Sequence, residues 1–531
     1  MADLRKEIEK RRTFAIISHP DAGKTTLTEK LLLYGGAIRE AGSVKARRAA
    51  KHAVSDWMEI EKQRGISVTS SVLQFNYANH CINILDTPGH QDFSEDTYRT
   101  LMAADSAVMV IDGAKGVEEQ TRKLFHVCSL REIPIFTFIN KMDRETKDPF
   151  VLLDDIENEL GIKSYPMNWP IGCGADFKGV YDREKKHILL FNGGNHGSSE
   201  VEIIEGNLED SNIKEIIGED LHEKLLEEIE LIEEAGEEFD LEKIKNGELT
   251  PVFFGSALTN FGVEPFLNEF LKLTPPPLAR NTDKGKIDVF SEDFSAFVFK
   301  IQANMNKAHR DRIAFMRICS GKYTKGMEVY HVQQGKKIKL TQPQQFLAEE
   351  REIVEEAYAG DIIGVFDPGI FGIGDTLCPV SNKFKFEGIP TFAPEHFAKV
   401  RTVDTMKRKQ FIKGVTQIAQ EGAIQVFKEL FIGVEEIIVG VVGVLQFEVL
   451  EYRLKNEYNV DIKLERLPFR HIRWIEKSEV APEDLNITSD TKVVKDLKDK
   501  DLLIFSNDWG IQWALDHNKG LVLSDIGKSE E

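Results

Sequence analysis

Short apolar runs alternate with segments of helical periodicity over the first part of the chain. The runs are TFAIIS, CINILDT, SAVMVID and IPIFTFIN, at residues 13–18, 81–87, 106–112 and 133–140. Runs of this length that alternate with helices are typical of parallel strands that are buried on both faces. The pattern therefore predicts an α/β domain with helices on both faces of a parallel sheet, whose ligands bind at the carboxyl ends of the strands.

The pattern of polar and apolar residues changes further along the chain. Residues 219–244 form an intensely acidic stretch with helical periodicity, and TPPPLAR at 274–280 is a stiff, proline-rich linker. Beyond the linker, β-branched and aromatic residues alternate between turn glycines, which predicts an antiparallel β-barrel. After about residue 397, helical stretches such as residues 410–430 alternate with strand-like ones, which predicts an α+β module.

These patterns predict a multidomain protein, in keeping with a length of 531 residues. We expect an α/β domain over residues 1–280, with an inserted α+β subdomain at about 160–250. An antiparallel β-barrel is expected over 281–395, and an α+β module of the ferredoxin-like type over 396–531.

Composition narrows the class of protein. The chain is 41% hydrophobic and 29% charged, which is typical of a soluble globular protein, and its net charge of −20 argues against a nucleic-acid coat. Five scattered cysteines without a C-x-x-C pair indicate neither a zinc site nor a disulfide framework. The sequence has no signal-like or membrane-spanning apolar run and no heptad seam. We therefore expect a cytoplasmic monomer that does not bind a membrane.

The stretch SHPDAGKT at residues 18–25 nearly matches the phosphate-loop pattern G-x-x-x-x-G-K-[ST]. It follows a predicted strand and opens a predicted helix, which is the context that gives the match meaning. Gly23 allows backbone N–H groups to turn toward phosphates, Lys24 supplies charge to the β- and γ-phosphates, and Thr25 offers a hydroxyl to Mg²⁺. Ser18 replaces the first glycine, where a small residue suffices.

A second motif, DTPGH at residues 86–90, ends the strand CINILD. The carboxylate of Asp86 is placed to hold a metal through its water shell, and the backbone N–H of Gly89 to bind a γ-phosphate. His90 stands where other GTPases carry a glutamine that orients water. A single histidine is more often structural, but its position directly after D-x-P-G favours a catalytic role.

Two further motifs, NKMD at residues 140–143 and GSAL at 255–258, also end predicted strands. Asp143 is suited to accept hydrogen bonds from the N1–H and 2-amino groups of guanine, which adenine lacks. We expect Asn140 to reach the base edge, Lys141 to lie along the base plane, and backbone N–H groups of GSAL to meet the guanine O6. Four motifs in this order predict a GTP and GDP site.

We therefore predict three sets of functional residues. The catalytic residue is His90, and the metal ligands are Thr25, Ser67 and Asp86. The predicted GTP-binding residues are Ser18, His19, Pro20, Asp21, Ala22, Gly23, Lys24, Thr25, Thr26, Asp86, Thr87, Pro88, Gly89, His90, Asn140, Lys141, Met142, Asp143, Ser256, Ala257 and Leu258.

Taken together, the motifs resemble those of the translational GTPases, whose pattern is D-A-G-K-T, R-G-I-[TS], D-x-P-G-H, N-K-x-D and S-A-L. The stretch RGIS at residues 64–67 matches the second of them. The resemblance implies that Ser67 contributes its hydroxyl to Mg²⁺ in the GTP state. It also implies that Pro20 and Ile66 form an apolar gate beside His90.

The order of segments narrows the resemblance. The interval between NKMD and GSAL is far longer than a minimal GTPase domain needs, so the acidic stretch resembles the inserted subdomain of elongation factor G. One barrel and one α+β module follow it, whereas elongation factor G continues with two further domains. Residues 401–461, with KRKQFIKGVTQIAQEGAIQVF and GVVGVLQFEVLEYRLKNEYNV, resemble the release factor 3 family.

This resemblance implies a ribosome-stimulated GTPase of translation termination that promotes dissociation and recycling of the codon-reading release factors. Its implied partners are those factors and the ribosome, both rRNA and ribosomal proteins, and an rRNA phosphate would draw in His90. Guanosine tetraphosphate is a candidate competitor for the site. The alternatives are another ribosomal GTPase of the elongation factor G group, translocase-like or ribosome-protecting, and a non-hydrolysing, GTP-dependent scaffold.

Three charged stretches lie outside these motifs. The basic stretches KARRAAKH at residues 45–52 and MKRKQFIK at 406–413 are either solvated surface or contacts to rRNA phosphate. The acidic stretch at 219–244 is either a solvated helix face or a docking surface for ribosomal proteins.

Overall fold

The computed structural model describes residues 2–38, 69–192, 202–303, 312–340, 343–347, 350–389, 391–429 and 437–524. The helices in this part of the chain are α1 (Ala2–Glu9), α2 (Lys24–Tyr34), α3 (Ser94–Leu101), α4 (Glu119–Leu130), α5 (Pro149–Leu160), α6 (Ser211–Ile217), α7 (Glu219–Ala235), α8 (Leu241–Lys245), α9 (Val263–Leu273), α10 (Arg408–Gln420), α11 (Leu445–Tyr458) and α12 (Asp508–His517). Short 3₁₀ turns span Gln91–Phe93, Gly174–Asp176, Thr405–Lys407 and Pro482–Asp484.

The strands fall into three groups along the chain. The first group is β1 (Arg11–Ser18), β2 (Ser71–Tyr77), β3 (His80–Asp86), β4 (Ser106–Asp112), β5 (Ile135–Asn140), β6 (Lys163–Pro166), β7 (Asn168–Ile171), β8 (Gly179–Asp182), β9 (His187–Asn192), β10 (Glu202–Gly206) and β11 (Leu249–Phe254). The second is β12 (Arg280–Thr282), β13 (Gly285–Ile287), β14 (Ser295–Ala303), β15 (Arg312–Ser320), β16 (Lys322–Thr324), β17 (Glu328–His331), β18 (Lys336–Lys339), β19 (Gln344–Leu347), β20 (Glu350–Ile353), β21 (Glu356–Tyr358), β22 (Ile362–Phe366) and β23 (Thr376–Cys378). The third is β24 (His396–Thr402), β25 (Gln425–Glu429), β26 (Ile437–Val441), β27 (Ile462–Leu467), β28 (His471–Lys477), β29 (Lys492–Lys495), β30 (Asp501–Phe505) and β31 (Val522–Ser524).

The elements from β1 to α9 form the N-terminal domain, built on a sheet of order β2-β3-β1-β4-β5-β11-β6. Strands β3, β1, β4, β5, β11 and β6 run parallel, and β1, β4 and β5 are almost wholly buried because their residues are apolar on both faces. The sheet is nevertheless mixed, because β2 runs antiparallel to β3. Ala78 and Asn79 between them have φ of 45° and 65°, as a tight two-residue hairpin turn requires. The four predicted strands are therefore parallel as expected, and β2 adds an antiparallel edge that the sequence analysis did not predict.

The segment between β6 and β11 forms a smaller unit, an antiparallel sheet of order β10-β9-β8-β7 with helices α6 to α8. The acidic stretch 219–244 forms α7 and most of α8, so its helical prediction is confirmed except at residues 236–240, where Gly236 in extended conformation ends α7. Leu225, Ile229 and Ile232 are buried at helical spacing, and most of the acidic side chains of α7 are exposed or half-exposed. The helix therefore packs through one apolar stripe and presents a charged face to solvent.

Strands β14 to β23 form the barrel domain, an antiparallel sheet of order β18-β17-β23-β14-β15-β22-β19-β20 with the small pair β16-β21, and β12 and β13 form a separate two-stranded sheet. It docks on the N-terminal domain through buried ion pairs. Asp105, which precedes β4, lies 2.5 Å from the Arg317 guanidinium, and Arg11 of β1 lies 3.1 Å from Asp361. Since a buried charge is costly unless it is paired, these contacts hold the two domains in one arrangement.

The third group forms the C-terminal domain, one antiparallel sheet of order β27-β24-β26-β25-β29-β30-β28-β31. Strands β24 to β27 with α10 and α11 follow the ferredoxin-like order, and β28 to β31 extend the sheet beyond β25. The helical interpretation of residues 410–430 was wrong in its second half, because α10 ends at Gln420 and residues 425–429 form β25. Gly422, with φ of 77°, ends the helix, and alternating apolar residues follow it.

Two sequence expectations concern covalent and membrane features. All five cysteines are free thiols in the structure. Within the part of the chain that the structure describes, no helix combines the length and the apolar character that a bilayer span requires.

Candidate nucleotide-binding site

The phosphate loop connects β1 to α2 at the carboxyl end of the sheet. Asp21 and Gly23 have φ of 64° and 98°, and Gly23 caps α2 with its backbone in the left-handed conformation. A Cβ on Gly23 would lie 2.2 Å from Nδ2 of Asn140, so glycine is required by both backbone conformation and space. Ser18 is almost fully buried and donates a hydrogen bond from Oγ to the His19 carbonyl at 2.9 Å. A small residue therefore fills this position without disturbing the loop.

The charged centre of the site is a pair formed by Lys24 and Asp86. The Lys24 ammonium contacts Oδ1 of Asp86, and the two side chains are only 6% and 2% exposed. The pair forms because β1 and β3 are neighbours whose carboxyl ends coincide, with Ile16 opposite Asp86. Thr25 follows Lys24 in the first turn of α2 and is half-buried.

The DTPGH motif follows β3 and turns toward the phosphate loop. Thr87 donates from Oγ1 to the Ile16 carbonyl at 2.7 Å, which fixes the start of the motif on β1. A Cβ on Gly89 would lie 3.6 Å from Cα of Pro20, so the two loops pass in van der Waals contact. The His90 side chain is 35% exposed, and its Nδ1 lies 3.2 Å from Oδ1 of Asp92.

Asn140 ties two loops of the site together. Its Nδ2 donates to the carbonyl of Ala22 at 2.9 Å, and its Oδ1 accepts from the N–H of Ala257 at 2.8 Å. The N–H of Ser256 in turn donates to the Phe261 carbonyl at 2.8 Å. In this structure, the amide of Asn140 and these two N–H groups therefore shape the site. Their direct contact with a base stays a prediction.

The rest of NKMD is equally well anchored. Lys141, with φ of 71°, extends its ammonium to the Asp21 carbonyl and lies 2.7 Å from Oδ2 of Asp112. Asp143 accepts at Oδ1 from the hydroxyl of Ser256 at 2.6 Å, which fixes the orientation of its carboxylate. Met142 is fully buried beneath them.

Asp112 is a residue of the site that the motif search missed, although it stands at the end of β4 and pairs with Lys141. Burial raises the pKa of its carboxyl, but the hydrogen bonds from Lys141 and the N–H of Ala114 lower the pKa by more, so Asp112 is held as the anion. The position of Asp112 at a strand end was the signal that could have identified it.

Not every predicted residue can be placed. Ser67, Ile66 and the whole RGIS stretch lie outside the described residues, as does the basic stretch 45–52. Within the basic stretch 406–413, Met406 is 88% exposed and Phe411 is buried against the C-terminal sheet. The other predicted residues of the four motifs lie at the carboxyl ends of the strands, in the loops that follow them or in the first turn of α2.

The fold and this site define a translational GTPase. The family model of the elongation factor Tu GTP-binding domain matches residues 9–276, and that of elongation factor G domain 2 matches 293–380. A model of the C-terminal domain of a class II release factor matches residues 386–515. A solved structure from Thermus thermophilus shares the fold, with a TM-score of 0.69 and 21% identity over 92% of this chain and 72% of its own.

Relatives over the full length narrow the class. The chain is 59% identical to peptide chain release factor 3 of Symbiobacterium thermophilum, with 98% of each chain covered. It is 54% identical to peptide chain release factor 3 of a Cyanothece species, over 99% of this chain and 97% of the relative. The chain belongs to the peptide chain release factor 3 family.

Proposed function

We propose that this GTPase acts on the ribosome, where GTP binding and hydrolysis drive the codon-reading release factors off terminated ribosomes and so recycle them. The observation that carries the proposal is the full-length similarity to peptide chain release factor 3 of Symbiobacterium thermophilum, at 59% identity. A second support is the nucleotide-binding site, whose motifs contain the charged residues that phosphate and guanine binding require. The site of action is the cytoplasm, and the active form is a monomer.

In the proposed complex, residues 18–26 surround the phosphates, and residues 140–143 with 256–258 surround guanine. The Lys24 ammonium exchanges Asp86 for the β- and γ-phosphates, because a phosphate carries more negative charge than a single carboxylate. Asp143, already oriented by Ser256, accepts from the guanine N1–H and amino groups. Guanosine tetraphosphate would use the same base and β-phosphate contacts.

The residues present fit Mg²⁺. Thr25 and Asp86 offer hard oxygen ligands at the ends of neighbouring elements, and Ser67, outside the described residues, is the third proposed ligand. Among the described residues, no group of three or more His, Cys, Asp or Glu side chains could hold a metal ion. Mg²⁺ in nucleotide sites takes most of its ligands from phosphate and water. Bound Mg²⁺ would neutralise charge on the β- and γ-phosphates.

For hydrolysis, His90 is proposed to orient a water molecule in line with the γ-phosphate. Lys24 stabilises the charge that develops on the phosphoryl group, and the N–H of Gly89 binds a γ-oxygen. In this structure the His90 side chain is partly exposed at the surface. A phosphate of rRNA beside that surface would attract the imidazole and complete the site only on the ribosome.

The first experiment measures GTP turnover with and without ribosomes for the wild type, His90→Ala and the control His126→Ala. His126 is an exposed histidine of α4. We expect His90→Ala to bind GDP normally but to lose the ribosome-stimulated turnover, while His126→Ala keeps it. Unchanged turnover in His90→Ala would remove His90 from the mechanism.

The second experiment follows a labelled codon-reading release factor on terminated ribosomes. The proposal requires GTP-dependent dissociation and repeated rounds that stop with a non-hydrolysable analogue. Movement of tRNA and messenger RNA instead would identify a translocase-like factor. Repeated rounds with the analogue would identify a scaffold that does not need hydrolysis. Displacement of fluorescent GDP by guanosine tetraphosphate tests that competitor directly.

A further inference from the structure

Asp92 connects the proposed catalytic histidine to the C-terminal domain. It is two residues beyond His90, in the 3₁₀ turn Gln91–Phe93, and its side chain is 12% exposed. Its Oδ1 lies 3.2 Å from Nδ1 of His90. Its Oδ2 accepts a hydrogen bond at 2.7 Å from the backbone N–H of Leu445, the first residue of α11. The two oxygens of one carboxylate therefore serve two domains.

The C-terminal domain is closely fitted around this carboxylate. A Cβ on Gly443 would lie 2.1 Å from Cγ of Asp92, so the glycine is needed for the approach. The N-cap residue of α11, Val444, has no side-chain group that could cap the helix, and the Asp92 carboxylate takes that role by accepting from the Leu445 N–H. The contact between Asp92 and the C-terminal domain therefore depends on the carboxylate of the first and on Gly443 and the Leu445 N–H of the second.

Both contacts of Asp92 with His90 fall on the same ring nitrogen. The N–H of Asp92 donates a hydrogen bond to Nδ1 at 3.3 Å, and the Asp92 carboxylate lies 3.2 Å from that atom. Nδ1 therefore acts as the acceptor, and Nε2 of the neutral ring carries the N–H. The contacts with Asp92 thus fix which way the imidazole faces.

We propose that Asp92 is a positioning residue for GTP hydrolysis, which fixes the orientation of His90 and is itself held in place by the start of α11. Through it, the placement of the C-terminal domain on the N-terminal domain sets the competence of His90. This inference rests on the role proposed above for His90.

The test is a double-mutant cycle on ribosome-stimulated GTP turnover, with wild type, Asp92→Asn, His90→Ala and the double variant. Asp92→Asn keeps the size of the side chain but removes the charge that strengthens the bond from the Leu445 N–H and faces the imidazole. We expect kcat at saturating ribosomes to fall about tenfold or more, with GDP affinity and ribosome affinity unchanged, as for loss of a partner that orients a functional histidine. In the His90→Ala background, Asp92→Asn should have no further effect.

Two further variants complete the experiment. Gly443→Ala disturbs the carboxylate from the C-terminal side and should lower kcat in the same way, and only when His90 is present. Asp148→Asn is the matched control, because Asp148 accepts from the N–H of Phe150 at the start of α5 and should tolerate the exchange. The control should keep the wild-type kcat.

The outcomes separate the two proposals. The role of Asp92 is overturned, and that of His90 kept, if His90→Ala lowers kcat while Asp92→Asn has the wild-type kcat. The same conclusion follows if the double variant loses the product of the two single-variant losses in kcat. A wild-type kcat in His90→Ala overturns the roles of both His90 and Asp92. A Gly443→Ala variant with wild-type kcat overturns the link to α11 alone.

Discussion

Replacing Asn140 with alanine tests whether the two loops that it joins must be held together for nucleotide binding. The side chain is 2% exposed, and the residues that it contacts, Ala22 and Ala257, are 1% and 0% exposed. The Asn140→Ala variant removes both hydrogen bonds and leaves the carbonyl of Ala22 and the N–H of Ala257 without these partners. Asn140→Asp is a second perturbation, because it keeps the acceptor for Ala257 and places a carboxylate oxygen against the Ala22 carbonyl.

The structure sets the size of the effect. A buried backbone group that loses its partner costs about 1–3 kcal/mol, so the two groups together cost about 2–6 kcal/mol. Both loops border the solvent-accessible mouth of the site, where Asp21 is exposed, so water can relieve part of this cost. We therefore expect a loss of about 2 kcal/mol in nucleotide binding, which is about 30-fold in Kd. Asn140→Asp should lose more, because two acceptors then face each other.

The assay is equilibrium titration with fluorescent GDP, paired with chemical denaturation. Asn168 provides a matched control, because it is also buried and also bonds backbone on both sides. Its Nδ2 donates to the carbonyl of Phe254 at 3.1 Å, and its Oδ1 accepts from the N–H of Phe254 at 2.7 Å. Asn168→Ala should lower the free energy of unfolding without a comparable loss of GDP affinity.

The reasoning fails if Asn140→Ala binds GDP within about threefold of the wild type, which is about 0.7 kcal/mol. It also fails if Asn168→Ala weakens GDP binding as much as Asn140→Ala does, because the effect would then be general destabilisation.

Three further predictions concern the base, the domain interface and the buried thiols. Asp143→Asn presents an amide N–H to the 2-amino group of guanine, so GTP binding should fall about 100-fold or more while xanthosine triphosphate, which has an oxygen there, gains affinity in competition titrations. Asp105→Ala leaves the buried Arg317 guanidinium without its carboxylate and should lower the free energy of unfolding by about 3–5 kcal/mol in denaturant titrations. Burial raises the pKa of Cys128 and Cys319 to about 12, so neither thiol should be alkylated near pH 8 without denaturant. Since unfolded thiols lose their protons near pH 9, these two residues should make the unfolding free energy fall as pH rises above that value.

The nucleotide motifs could be placed from the sequence because their chemistry is local and their positions follow from the sheet. Each motif follows an apolar run, and the ends of parallel strands meet at one edge, so Lys24 and Asp86 are in contact although 62 positions apart. The three-part architecture was predictable for a similar reason. Continuous apolar runs in the first part of the chain give way to alternating apolar and polar residues, which marks the change from a parallel to an antiparallel sheet.

The remaining features depend on contacts that no local pattern contains. The pairing of β25 with β29 joins residues 428–429 to residues 494–495, so nothing near either strand indicates that the C-terminal sheet continues. The hairpin turn at Ala78 and Asn79 lacks the Asn-Gly or Asp-Gly signal that identifies such turns. Asn140 was expected to contact the base because its motif suggests that role. Its contacts with both loops are defined only once the loops are placed.

The two docked domains bond to the N-terminal domain at different residues. The barrel domain forms ion pairs with Arg11 and Asp105, which lie at the amino ends of β1 and β4, and its Lys300 donates to the carbonyl of Ser70, which precedes β2. The C-terminal domain instead bonds to Asp92, and to Arg99 of α3, whose guanidinium donates to the Gly422 carbonyl at 3.0 Å. Both belong to the segment that follows DTPGH. Any displacement of that segment must therefore break these bonds or carry α10 and α11 with it. Unpairing the Asp92 carboxylate would be costly, and Gln420 of α10 is also bonded to Arg312 of the barrel domain, so a movement of this segment is coupled to both docked domains.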